Sequence, residues 1–103
     1  SGVKISNSVK IGYNNLIYYN SVLTHDVEIG NHCEISPNVT ILGGAKIGNK
    51  THLATGAIIF PNIVIGSNVI VGAGAIVMDN IPDNVVVLGI PAKIKSLRKE
   101  DEL

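Results

Sequence analysis

The chain has 103 residues and a formal charge of zero, so it is one domain with a modest core and no electrostatic footprint for a nucleic acid or an acidic membrane. Its 46% hydrophobic content is carried by Ile and Val, with 4% aromatics and no Trp, which favours pleated structure. No apolar run approaches the ~18 residues of a membrane span, no signal peptide opens the chain, and the single Cys33 excludes a disulfide framework; the expected location is the cytoplasm.

Ser1-Gly2 reads as a cloning scar, and the periodic part of the chain begins behind it. Steps of six from Ile5 pass through Ile11, Ile17, Leu23, Ile29, Ile35, Ile41, Ile47, Leu53, Ile59, Ile65, Val71 and Val77 without an insertion. The fifth position of each hexad is mostly small or β-branched, as in Val9, Val27, Cys33, Val39, Ala45 and Ala57. Two inward positions spaced two apart are what a short strand supplies. The fourth position, from Asn14 to Asn80, is Asn or Gly in nine hexads of twelve, the residues that accept a positive φ most cheaply. Twice a proline precedes it, in Pro37-Asn38 and Pro61-Asn62, which is the signature of a type II turn. Each hexad is therefore a strand and a corner, and three corners close a triangular coil of eighteen residues.

The predicted architecture is an all-β parallel helix, one domain over 1–103. Full coils run over residues 11–28, 29–46, 47–64 and 65–82, and the coiled part as a whole covers about 5–88. After Pro82 the hexad lapses, and "DNVVVLGIPAK" reads as a last strand and a loop. The stretch "IKSLRKEDEL" reads as a short helix with Ile94 and Leu97 on one face, ending in a solvated acidic tail.

Residues eighteen apart stack on successive coils, about 4.8 Å apart along the axis. One corner column then carries Tyr13-Asn14, Asn31-His32, Asn49-Lys50 and Ser67-Asn68. The second carries Tyr19-Asn20, Pro37-Asn38, Thr55-Gly56 and Ala73-Gly74. The third carries His25-Asp26, Gly43-Gly44, Pro61-Asn62 and Asp79-Asn80. His25 is thus an outward corner residue, with a pair lacking side chains directly above it. Gly44 is a permissive turn residue. Gly43 stands where φ is ordinarily negative, so room and bare amides for a ligand are the better account of it.

The stretches "HDVEIGNHCEISPNVTILGGAKIG", "THLATGAIIFPNIVIGSNVIVGAGAIV" and "DNIPDNVVVLGIPAK" resemble the catalytic half of sialic-acid O-acetyltransferase-like and bacillosamine-type sugar N-acetyltransferases, over residues 11–95. The His-acid pair, the Gly-Gly one coil later and the terminal "GIPAK" are the selective part. The resemblance implies a left-handed helix, a homotrimer, a sugar or nucleotide-sugar acceptor, no metal, and acetyl-CoA lying in grooves between neighbouring copies. His25 matches the general base for direct transfer without an acyl-enzyme, and Asp26 the acid that orients it. Gly43, Gly44, Thr55 and Ala73 match contacts to the pantetheine arm, which spans about three coils, roughly 14 Å, from His25 to Asp79. Lys93 matches a contact to the nucleotide phosphates.

The sequence departs from that pattern at Glu34, where relatives often carry a histidine. His32 reads as a polar corner, and His52 as exposed on a flat face with no partner. The N-terminal nucleotide-sugar-binding domain of many relatives is not in this stretch, which leaves the acceptor open. Two other classes compete. A zinc lyase of the γ-carbonic-anhydrase type needs three histidines, but His25, His32 and His52 fall on different columns or faces. A catalytically silent trimeric scaffold predicts no CoA affinity. The apolar groups Tyr13, Tyr19, Leu42 and Phe60 suggest contact between copies; the alternative for Leu42 and Phe60 is that each turns toward the core edge.

Overall fold

A computed structural model describes residues 2–99, so the last four residues of the expected acidic tail lie outside the described part. Thirteen two-residue strands follow one another at intervals of six, and each of the first twelve is followed by the left-handed residue of the next corner. Face 1 stacks β1 (Lys4–Ile5), β4 (Val22–Leu23), β7 (Thr40–Ile41), β10 (Ile58–Ile59) and β13 (Ile76–Val77). Face 2 stacks β2 (Lys10–Ile11), β5 (Glu28–Ile29), β8 (Lys46–Ile47) and β11 (Val64–Ile65). Face 3 stacks β3 (Leu16–Ile17), β6 (Glu34–Ile35), β9 (His52–Leu53) and β12 (Ile70–Val71), then β14 (Val85–Leu88) and β15 (Lys93–Leu97). The register is eighteen throughout the regular part, as in Glu28 opposite Lys46 and Glu34 opposite His52.

Why the chain bends where it does is visible in the backbone. Every fourth hexad position from Asn14 to Gly74 has φ between 56° and 76°. Four of these corners, including the one from Leu42 to Ala45, are closed by a bond from the fourth residue's N–H to the first residue's carbonyl. A left-handed third residue makes them type II geometry. The inward columns bury completely: Leu23, Ile35, Ile41, Leu53 and Ile59 are all 0% exposed. At the first coil the same column lacks a neighbour below, and Ile5 is 51% exposed.

The edge between faces 2 and 3 carries a second ladder. Asn31 Oδ1 accepts from Tyr13 N–H, Asn49 Oδ1 from Asn31 N–H, Ser67 Oγ from Asn49 N–H, and Asp83 Oδ1 from Ser67 N–H, at 2.8–2.9 Å. A Cβ on Gly12, Gly30 or Gly66 would strike the Asn31, Asn49 or Asp83 side chain that makes these bonds. The glycine column on face 2 is the room the ladder needs.

Two expectations fail at the C-terminal end. The hexad breaks before Pro82: Asn80 does not take a left-handed φ, Ile81 bridges Ile65 at a spacing of sixteen, and Asn84 becomes the next left-handed residue. The last coil is two residues short. The helix expected over "IKSLRKEDEL" is instead, in its described part, the strand β15, antiparallel to β14. Ile94 and Leu97 suit a helix by spacing alone, but β14 presents an unpaired strand edge, and backbone pairing there outweighs local propensity. Arg98 follows and folds down over the corner, with Nη1 donating to the carbonyls of Lys50 (3.1 Å) and Val69 (3.3 Å).

Candidate active site

β4 delivers the chain to the edge between faces 1 and 2, and β5 takes it away; His25-Asp26 is the corner between them. Asp26, at φ 61°, supplies the left-handed turn. Its N–H donates to Asn7 O (3.0 Å) on the coil below, and His25 O accepts from Gly44 N–H (2.9 Å) on the coil above. The backbone is therefore fixed from both sides while the side chains stay open, 70% exposed for His25 and 64% for Asp26. Their Nδ1 and Oδ2 atoms lie 3.2 Å apart. An ionised carboxylate only accepts, so it keeps the proton on Nδ1 and leaves Nε2 as the basic nitrogen.

The ring lies flat against Gly43. A Cβ built there would run into Cε1 and Nε2 of His25, with Nδ1 at 3.0 Å. Gly43 is not among the positive-φ residues, so the turn does not demand glycine at this position; the imidazole does. Gly44, at φ 75°, is the turn residue. The structure thus brings His25, Asp26, Gly43 and Gly44 together.

Thr55 and Ala73 lie elsewhere, exposed on the edge between faces 3 and 1, across the width of face 1 from His25. Lys93 opens β15 on face 3, opposite Leu88, and borders a cleft of about 370 Å³ with Asp79, Asn80 and Ile81 of the His25 corner column. Above the first coil, face 1 between these edges is apolar apart from Thr24 and Thr40: Val22, Leu42, Ile58 and Ile76 are half-buried, and Phe60 and Met78 are 37% and 39% exposed.

Face 3 holds a second polar cluster that sequence reasoning missed. His52 is not partnerless: its Nε2 lies 3.1 Å from Ser36 Oγ and 3.7 Å from Glu34 Oε2. The register Glu34 opposite His52 carried that signal, since eighteen-residue stacking applies to flat faces as well as corners. His32 Nδ1 accepts from Asn14 Nδ2 at 2.8 Å, and its ring stands edge-on to Tyr13. Cys33 points inward, with its thiol against Gly48 O at 3.0 Å; burial pushes its pKa up, so it is a poor nucleophile. Among the described residues no three His, Cys, Asp or Glu side chains are grouped to hold a metal ion.

The fold and its repeat define the class: a left-handed parallel β-helix of hexapeptide repeats, with a histidine-acid pair on one edge. The family model "bacterial transferase hexapeptide (six repeats)" matches residues 2–43. The chain is similar to a histidine-to-alanine variant of GDP-perosamine N-acetyl transferase from Caulobacter crescentus, solved with CoA and GDP-perosamine. The two are 36% identical with a TM-score of 0.92, over 93% of this chain and 46% of that one. It is also similar to the acetyltransferase domain of PglB from Neisseria gonorrhoeae (28% identical, TM-score 0.80, 91% of this chain and 55% of that one). A maltose O-acetyltransferase from Clostridium difficile is 26% identical with a TM-score of 0.82, over 95% of this chain and 67% of that one. The chain spans about half the length of the first two. No curated protein matches it by sequence.

Proposed function

We propose that this chain carries the acetyl-transfer site of an acetyl-CoA-dependent acetyltransferase acting on the amine or hydroxyl of a sugar or nucleotide sugar. The observation that carries the reading is the His25–Asp26 pair seated on the bare backbone of Gly43. The similarity to an N-acetyl transferase solved with CoA and GDP-perosamine supports the donor and the acceptor class. His25 Nε2 takes the proton as the acceptor nitrogen or oxygen attacks the thioester carbonyl. The C–S bond breaks, the new N–C or O–C bond forms, and the imidazolium returns its proton to the departing thiolate. No acyl-enzyme is formed. We place the reaction in the cytoplasm, where a lone thiol such as Cys33 stays reduced.

The working unit is a homotrimer. Face 1, with Leu42, Phe60 and Met78, turns toward the threefold axis, because burying an apolar face against copies of itself is favourable. The His25 edge of one copy then meets the Thr55–Ala73 edge of the next, and the pantetheine arm lies between them. Lys93 meets the nucleotide phosphates.

Release of free thiol from acetyl-CoA, with GDP-perosamine as acceptor, tests the reading. Activity is expected to fall by about 10²–10⁴-fold in His25→Ala, the usual range for losing a general base. A His25→Ala variant with full activity, or a wild-type protein that binds no acetyl-CoA, would sink it. Phe60→Lys is expected to shift the mass in sedimentation from trimer toward monomer.

A further inference from the structure

The cluster on face 3 opens into a cleft of about 240 Å³, lined by His32, Glu34, Lys50, His52, Ile70 and Arg98 among others. It lies on a different face from the His25 edge and shares no residue with it. Two cationic side chains and two imidazoles border it, against one carboxylate. The polar groups are held in place before any ligand arrives. Asn14 donates to His32 Nδ1, which leaves the neutral ring's proton on Nε2 as a donor. His52 Nε2 is anchored by Ser36, a residue only 8% exposed. Arg98 is 5% exposed and pinned by two backbone carbonyls from different coils.

We propose that this cleft is a phosphoryl-binding site, with Lys50 as the principal charge, His32 and His52 as hydrogen-bond donors, and Glu34 accepting from a hydroxyl beside the phosphate. Lys50 serves as a point charge at such a site. The volume lies below the ~300–1,000 Å³ of sites that enclose a whole drug-sized ligand, so it suits a phosphate and its nearest ring atoms rather than a complete nucleotide sugar. Glu34 tunes the choice among phosphates by favouring one that carries a neighbouring hydrogen-bond donor. The proposal stands on this cleft alone and does not require acetyl transfer at His25.

The test is an NMR titration of the three histidine rings with inorganic pyrophosphate, then with GDP and with 3′,5′-ADP. Saturable shifts are expected at His32 and His52 but not at His25. Lys50→Asn keeps a residue that tolerates the left-handed φ of 56° and should weaken pyrophosphate binding on the order of tenfold. His52→Gln should weaken it too, and His25→Ala should leave it unchanged. Binding by GDP assigns the site to an acceptor's phosphates; binding by 3′,5′-ADP assigns it to those of CoA and takes that role from Lys93. Shifts that do not saturate, or that persist undiminished in Lys50→Asn, overturn the proposal. Loss of acetyl-CoA binding with pyrophosphate binding intact would count against the acetyltransferase reading and not against this one.

Discussion

His25 and Gly43, eighteen residues apart, compete for one volume: the imidazole occupies the space where a side chain at 43 would begin. The pair is a packing contact and, on the proposed function, a catalytic arrangement as well, and the two aspects separate by mutation. Gly43→Ala should displace the ring at a cost below the about 1–3 kcal/mol of overpacking a core, because the ring is largely exposed. In a His25→Ala background the same change should be close to neutral, because the clash is gone. Thermal denaturation of the four proteins in this cycle measures the coupling; additive costs would show that the ring moves aside freely.

Asp26 has two roles that one substitution divides. Asp26→Asn keeps a residue suited to φ 61° but removes the charge beside Nδ1. Since the pair is largely exposed, its Coulombic part is worth about 0.2–1 kcal/mol, so kcat should fall by no more than about fivefold with the melting temperature unchanged. Asp26→Val should unfold the corner, because a β-branched residue there is a true backbone outlier.

The ladder along the edge between faces 2 and 3 predicts a graded loss. Asn49→Ala removes the acceptor for Asn31 N–H and should cost about 0.5–1.5 kcal/mol in urea denaturation. Gly30→Ala should cost more, since its Cβ strikes Asn49 Oδ1. Combining the two should cost less than the sum, because the alanine at 49 makes room for the one at 30.

Cys33 should resist alkylation by iodoacetamide in the folded protein and react fully in denaturant. Burial raises its pKa above the ordinary 9.0, so the folded state favours the neutral thiol. That stabilisation is present below pH 9 and declines as pH rises past it, because the unfolded thiol ionises first. In a pH series of unfolding free energies, the gap between wild type and Cys33→Ala should be constant below pH 9 and change only on the alkaline side.

Much of this was legible in the residues. The period of six, the inward columns and the left-handed corners need only side-chain size and φ preference, and both are written locally at each position. His25 beneath Gly43 was legible for the same reason, since a period of eighteen turns sequence distance into contact. What was not legible depended on side chains crossing between columns. The Ser36–His52 contact runs diagonally across face 3, from one hexad position to another, and a column-by-column reading does not join them. The strand at Lys93–Leu97 failed for another reason: the open edge of β14 decides its conformation, and no local pattern records that edge.

The shortened last coil has a consequence for assembly. A stack of identical eighteen-residue coils presents the same edge at every level, and such an edge invites a further copy to add end to end. Losing two residues between Val77 and Ile81 puts the top of the prism out of phase with its bottom. The chain then folds back over the top: Ile76 N–H donates to Gly89 O, Ala92 N–H donates to Ile76 O, and β15 lies antiparallel along face 3. Head-to-tail polymerisation into a fibre is blocked at this end by phase and by cover together. Restoring two residues after Val77 and removing the chain beyond Leu88 would recreate the growing surface.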